Sequence, residues 1–126
     1  MITNPEQYME RKGRSFLYGT EVAAIHASCN FIVRKPIQYG NLNVKGGSYT
    51  ASMCAEDIQR ILEAAFFEKM GLEADKLSNF NVVLIIADSF IRHHVRYILN
   101  VLFVKMRFKS AFVHQESVMS SYAMAA

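Results

Sequence analysis

No stretch of this chain approaches the roughly 18 consecutive apolar residues of a membrane-spanning helix. Its most apolar helical segment, 90–106, is broken by Arg92, Arg96 and Asn100. There are only two cysteines, Cys29 and Cys54, far apart in sequence, with no CxxC pair and no histidine at metal-ligand spacing. The amino terminus is polar and carries Glu6 and Glu10, which fits neither a secretory signal nor a transit peptide. Two isolated thiols behind such a start are expected to be reduced cysteines of cytosol or nucleus. The phosphate and nucleophile signatures GxxxxGK[ST], GxGxxG and GxSxG are all missing. Internal repeats and low-complexity tracts are missing too.

What remains is a chain of 126 residues, 52% apolar and 20% charged, which is one domain with a core rather than a disordered segment. The net charge of +3 is unevenly placed. Between Ser89 and Gln115 there are five basic residues (Arg92, Arg96, Lys105, Arg107, Lys109) and no acid, whereas Glu56 to Lys76 holds six acids and three bases. The basic segment suits nucleic acid or an acidic partner, or it is the solvated face of an amphipathic helix.

The chain is organised around Asn81 to Tyr122. Asn81-Val-Val-Leu-Ile-Ile-Ala-Asp88 is a short unbroken apolar run, the pattern of a strand buried on both faces. Ser89 can cap the helix that follows, whose apolar stripe runs Ile91, Val95, Ile98, Leu99, Leu102, Met106. Ala111-Phe-Val-His114 is a second strand, and helical spacing returns from Ser117 through Val118, Met119 and Tyr122. Strand, helix and strand over 81–114 predict a right-handed crossover onto a parallel sheet. Asp88 and Glu116 then fall at the carboxyl ends of neighbouring strands, where α/β sheets place their ligands. Each also has a plain structural use, Asp88 in a helix-capping corner and Glu116 at the start of the last helix.

Residues 1–14 show no periodicity and read as a flexible lead-in. Gly19 marks a turn, and residues 23–29 are a helical turn or an irregular link. Phe31-Ile-Val-Arg-Lys35 has strand propensity, stopped by Pro36. Asn41-Leu-Asn-Val44 alternates like a half-exposed strand, and Lys45-Gly-Gly-Ser48 is a loop. A helix is predicted from about Ser52, a plausible cap, to Met70, with Ile58, Ile61, Leu62, Ala65 and Phe66 inward. Gly71 takes the left-handed stop and Leu72 folds back against the helix.

Little of this is catalytic. His93 and His94 are adjacent and would point about 100° apart on a helix, so they cannot share a metal. His26 and His114 have no near partner in sequence, and no metal site or catalytic residue is expected. Gly46-Gly47 is the only glycine pair, a flexible turn before it is a phosphate site.

The order of these segments resembles the actin superfamily from about Phe16 to Tyr122. Phe16-Leu-Tyr-Gly-Thr-Glu-Val22 is similar to the actin Tyr-Val-Gly-Asp-Glu-Ala segment, and Pro36-Ile-Gln-Tyr-Gly40 to the actin Pro-Ile-Glu-His-Gly turn. The 52–70 helix falls where actins carry Asp-Met-Glu-Lys-Ile-Trp, and Val82–Asp88 on the strand Val-Leu-Leu-Thr-Glu. Within the superfamily the resemblance is to the actin-related protein 8 subfamily. It is carried by Arg34-Lys-Pro-Ile37, Leu84-Ile-Ile-Ala-Asp88, His94-Val95 and above all Val113-His-Gln-Glu-Ser-Val118. The subfamily's strand-end proline is Ala87 here.

The resemblance implies an α/β fold, a partial actin-like (ribonuclease H-like) fold with a βαβ unit at 81–114 and a β-rich amino-terminal segment. Residues 15–126 would form the partial actin-like domain, with 15–48 like subdomain 2 and 49–126 like subdomain 1. Neither Asp-x-Gly phosphate loop of the family occurs in the chain. It is therefore expected to be a fragment or truncated gene model, not an enzyme by itself. No cofactor is expected for it alone, ATP belonging to the complete family fold. An incomplete sheet also implies marginal stability on its own. Glu116 falls where actins place their water-orienting glutamine. The implied role is a non-catalytic scaffold subunit of an ATP-dependent chromatin-remodelling complex of the inositol-requiring class. Such a subunit is nuclear, off the membrane, and serves transcription and DNA repair. Its partners are actin and other actin-related proteins, with Arg92, Arg96 and Lys105 open to DNA or nucleosome. Two alternatives stand beside it: a piece of an actin-fold ATPase or sugar-kinase-like enzyme, and an unrelated α/β domain with a small-molecule cleft between Asp88 and Glu116.

Overall fold

Asn4-Pro5 near one end of a polar stretch and Gly13 at the other are a helix start and a helix stop. The computed structural model, which describes residues 1–125, has a helix between them, α1 (Pro5–Lys12). The Asn4 side chain accepts from the Gln7 N–H at 3.1 Å, and Gly13 closes the helix at φ 67°. The helix buries none of its residues, which is why no apolar period announces it. Residues 1–14 are thus not structureless. Caps, rather than an apolar stripe, define their helix.

The chain forms two compact units, Met1–Arg34 and Lys35–Ala126. In the first, α1 is followed by the short helix α2 (Thr20–Ala23), and Ile2 bridges to Ile25 in parallel fashion. Arg14 binds the segments together. Its guanidinium meets both carboxylate oxygens of Glu21 at 2.8 Å and donates to the Phe16 carbonyl at 2.9 Å. It also lies over the Tyr18 ring, 5.0 Å from the centroid. Tyr8 and the Tyr18 N–H add hydrogen bonds to Glu21, and with Arg14 foremost they hold its carboxyl down at about 2.

The second unit opens with a hairpin of β1 (Ile37–Gln38) and β2 (Asn41–Leu42). Tyr39 and Gly40 both take positive φ, 54° and 73°, as a two-residue turn requires. The strand propensity of Phe31–Lys35 is not realised. None of its residues lies in a strand, and Ile32 is 91% exposed.

Helix α3 (Ala51–Ala64) is capped two residues earlier than at Ser52, by the Thr50 hydroxyl accepting from the Met53 N–H at 3.2 Å. It runs into a π-helical turn at Ala65–Lys69, and Gly71 at φ 69° stops it while the Leu72 N–H bonds back to the Phe66 carbonyl. A 3₁₀ turn (Ala74–Asn79) seats Leu77 in the core and delivers the chain to β3 (Asn81–Ile86). Helix α4 (Arg92–Asn100) repeats the ending of α3. A π-helical turn at Val101–Lys105 follows, then Arg107 at φ 62°, with the Phe108 N–H bonded to the Leu102 carbonyl. The sequences Lys69-Met-Gly-Leu72 and Lys105-Met-Arg-Phe108 thus make the same stop, one of them without glycine. The chain then enters β4 (Ser110–Gln115) and α5 (Glu116–Ala125).

β3 and β4 pair in parallel, from Asn81 opposite Ser110 to Ile86 opposite Gln115. Helices α3 and α4 cover one face of this sheet. Cys54, Ile58, Leu77, Ile98, Leu102 and Phe108 form the buried centre, with Val82, Leu84 and Ala111 packed against it. The expectation of a strand buried on both faces is corrected here. β3 alternates, and Val83, Ile85 and Phe112 on the other face are each more than half exposed. An apolar run signals what a strand could bury, whereas the covering helices present decide what it does bury.

Candidate functional site

The parallel register brings the carboxyl ends of β3 and β4 side by side, and a polar corner forms there. Asp88 follows β3, and its Oδ1 accepts from the Ser117 N–H at 3.1 Å, within the first turn of α5. Asp88 therefore caps not the next helix but one that begins 28 residues later in the chain. Glu116 is the first residue of α5, directly after β4, and is exposed.

Ser89 does not cap α4 either. The cap position is Ile91, whose side chain has no polar atom to offer, and Asn41 from the hairpin takes over. The Asn41 Oδ1 accepts from the Ile91 N–H, while its Nδ2 donates to the Ser89 carbonyl at 3.1 Å. The hairpin tip lies close to this corner: a methyl on Gly40 would stand 2.5 Å from Ser89 Oγ and 3.1 Å from Ala87 Cβ. Gly40, Asn41, Asp88, Ser89 and Ser117 are thus one assembly. Of these, residue type and position in the sequence point to Asp88 and Ser89, with Glu116 beside the assembly. The signal for the hairpin was the Tyr39-Gly40 turn, but its docking partner lies 48 residues on and leaves no local trace.

Chemically, the corner is a single polar wall. Glu116 can accept a hydrogen bond from water, and the first turn of α5 favours negative charge. Gly46 and Gly47 open a short 3₁₀ turn closed on itself by Lys45 N–H to Tyr49 carbonyl (2.9 Å) and Ser48 Oγ to Lys45 carbonyl (2.7 Å). A methyl on either glycine would meet nothing within 4 Å, so this loop cradles no neighbouring group.

The histidines are spread. His26 binds Ser28 Oγ at 2.7 Å, His93 sits edge-on to Tyr97, and His94 edge-on to Phe90 with a buried Nδ1. Among the described residues no group of three or more His, Cys, Asp or Glu could hold a metal ion. Cys29 and Cys54 are free thiols. Burial pushes Cys54 up in pKa, and raises the phenol of Tyr49, which also donates to Asp57 at 2.6 Å.

Arg92 and Arg96 stand one turn apart on α4, both exposed. Lys105 is exposed too, in the π-helical turn, but the stripe beyond Arg96 continues through Leu99, Asn100, Phe103 and Val104 instead. No helix among the described residues is long and apolar enough to cross a membrane.

Known proteins are similar to this chain. Actin-related protein 8 of Drosophila melanogaster is 35% identical over 74% of the chain, and the human protein of that name 31% identical over 85%. A solved structure, human actin-related protein Arp8 in its ATP-bound state, superposes at a TM-score of 0.65 with 31% identity over 69% of the chain. The chain resembles actin-related proteins. It carries part of an actin-like fold, and the parallel pairing of β3 with β4 is the pairing that resemblance requires. No protein-family model matches it. The chain spans 16–17% of the length of those two curated relatives and 18% of the solved chain.

Proposed function

We propose that the chain serves as part of a nuclear actin-related protein, a non-catalytic scaffold subunit of an ATP-dependent chromatin-remodelling complex. The reading is supported above all by the combined sequence and fold likeness to actin-related protein 8. Its partners are actin and other actin-related proteins, and its work is to hold them to nucleosomes in transcription and DNA repair. Arg92, Arg96 and Lys105 are the residues through which it meets DNA phosphates or an acidic partner. Duplex DNA retention at rising salt tests this. Charge reversal at Arg92 and Arg96 is expected to weaken retention and flatten its salt slope by about two phosphate contacts. Unchanged retention would remove that face from the interface.

A second reading is favoured by the ATP in the similar human structure: the chain is one wall of an actin-fold ATP site. Glu116 then polarises water at the junction of β4 and α5, and the phosphate loops come from elsewhere. Titrating the isolated chain with a fluorescent ATP analogue probes both readings, since neither gives this chain the phosphate loops. No binding and no turnover are expected; saturable binding would give this chain a nucleotide site of its own.

A further inference from the structure

An open groove of ≈ 520 Å³ runs between the outer side of α4 and the start of β4. Its floor is Leu99, Phe103, Val104 and Ala111, with Arg96 at its margin. Phe103 and Val104 are each 57% exposed, two large apolar side chains next to one another on the surface. Arg92 stands one turn before Arg96, and Lys105, Arg107 and Lys109 follow Val104 along the chain, all exposed. No acid occurs from Ser89 to Gln115. We infer that this groove docks an acidic amphipathic helix of a partner protein, its apolar face on Phe103 and Val104 and its carboxylates on Arg96 and Arg92.

The chemistry selects among occupants. Nucleic acid would use the arginines but leave Phe103 and Val104 in water, because a phosphate backbone has no apolar anchors to cover them. A helix with apolar residues at i, i+4 and i+7 covers both, and its flanking carboxylates reach Arg96 and, one turn before it, Arg92. A second copy of the chain offers acids between Glu56 and Lys76, but the apolar stripe of that helix is turned into its own core at Cys54, Ala55 and Ile58. The groove is open rather than enclosed, which suits a helix better than a small molecule. This inference rests on the scaffold reading and names the chemistry of one of its partners.

The test uses the full chain and a fluorescein-labelled synthetic helix with leucine at i, i+4 and i+7 and glutamate at the flanking positions, followed by anisotropy. Saturable binding is expected, weakened about tenfold or more by Phe103→Ser and several-fold by Arg96→Glu, the loss expected for a central anchor and a rim charge respectively. Met70→Ser, an equally exposed apolar site on α3's closing turn, should leave it unchanged. Circular dichroism confirms that each variant keeps its helices, and Val104→Asp supplies a second disruption should Phe103→Ser not fold. Absence of binding, or binding unaffected by either groove variant, overturns the inference. So does equal binding of the glutamine version of the peptide, which would remove the charge argument. Sedimentation showing a dimer that Phe103→Ser breaks would assign the groove to a second copy instead. If the peptide fails while DNA retention still depends on Arg92 and Arg96, the face belongs to nucleic acid and the scaffold reading survives.

Discussion

Replacing Gly40 by alanine puts a methyl group where the hairpin has no room for one. The residue sits at φ 73°, and the new Cβ would lie 2.5 Å from Ser89 Oγ and 3.1 Å from Ala87 Cβ. Two costs arise. The left-handed backbone alone disfavours alanine by about 1 kcal/mol. Crowding adds about 1–3 kcal/mol, because the turn at Ala87–Phe90 is closed by its own hydrogen bond and the hairpin is held to it by Asn41. The total expected is about 2–4 kcal/mol, at several degrees of melting temperature for each. Ser89→Ala separates the two. It removes the 2.5 Å contact and leaves the φ penalty, so Gly40→Ala should cost about 1 kcal/mol less in that background. Urea unfolding followed by circular dichroism gives all four stabilities. A Gly40→Ala variant as stable as the parent, or a cost unaltered by Ser89→Ala, would refute the docking of hairpin on strand end.

Other outcomes follow from the same geometry. Arg107 occupies the left-handed position that Gly71 fills after α3, so Arg107→Gly should stabilise by about 1 kcal/mol and Gly71→Ala should destabilise by a similar amount, both read in urea. Asp88→Ala removes the cap on the Ser117 N–H, costing about 1 kcal/mol and some helical signal from α5; no change in either would dismiss the cap. Glu21 has its carboxyl lowered from 4.5 to about 2 by Arg14, so its contribution is complete above pH 4.5 and lost as pH falls towards 2. Amide resonances of the Met1–Arg34 unit should report that loss, and Arg14→Met, costing about 2 kcal/mol at neutral pH, should abolish the acid transition.

Part of this molecule was legible in its sequence. The apolar run at 81–86, the stripe of α4 and the Ala111–His114 strand gave the parallel unit, since burial periods are local signals. Gly71 gave the end of α3 for the same reason. What escaped was non-local or polar. Asp88 and Ser89 looked like the cap of α4, yet Asp88 caps α5 and Asn41 serves α4, contacts of 29 and 50 residues' separation. Capping potential can be read from residue type, but its partner is chosen by topology. The α1 helix and the Arg14–Glu21 pair were hidden because ion pairs and caps have no period. Glu116 stands at the junction of strand and helix that the sequence pattern indicates, whereas Lys105 follows Arg96 by a spacing that places it on the opposite side of a regular helix, off the Arg92–Arg96 stripe.

The scaffold claim is tested most directly by what the tagged chain retains from nuclear extract, quantified by mass spectrometry against the Gly40→Ala variant. The expected result is joint enrichment of actin, other actin-related proteins and a remodelling ATPase, reduced in the variant. Retention of none of these by a chain shown to be folded would contradict it.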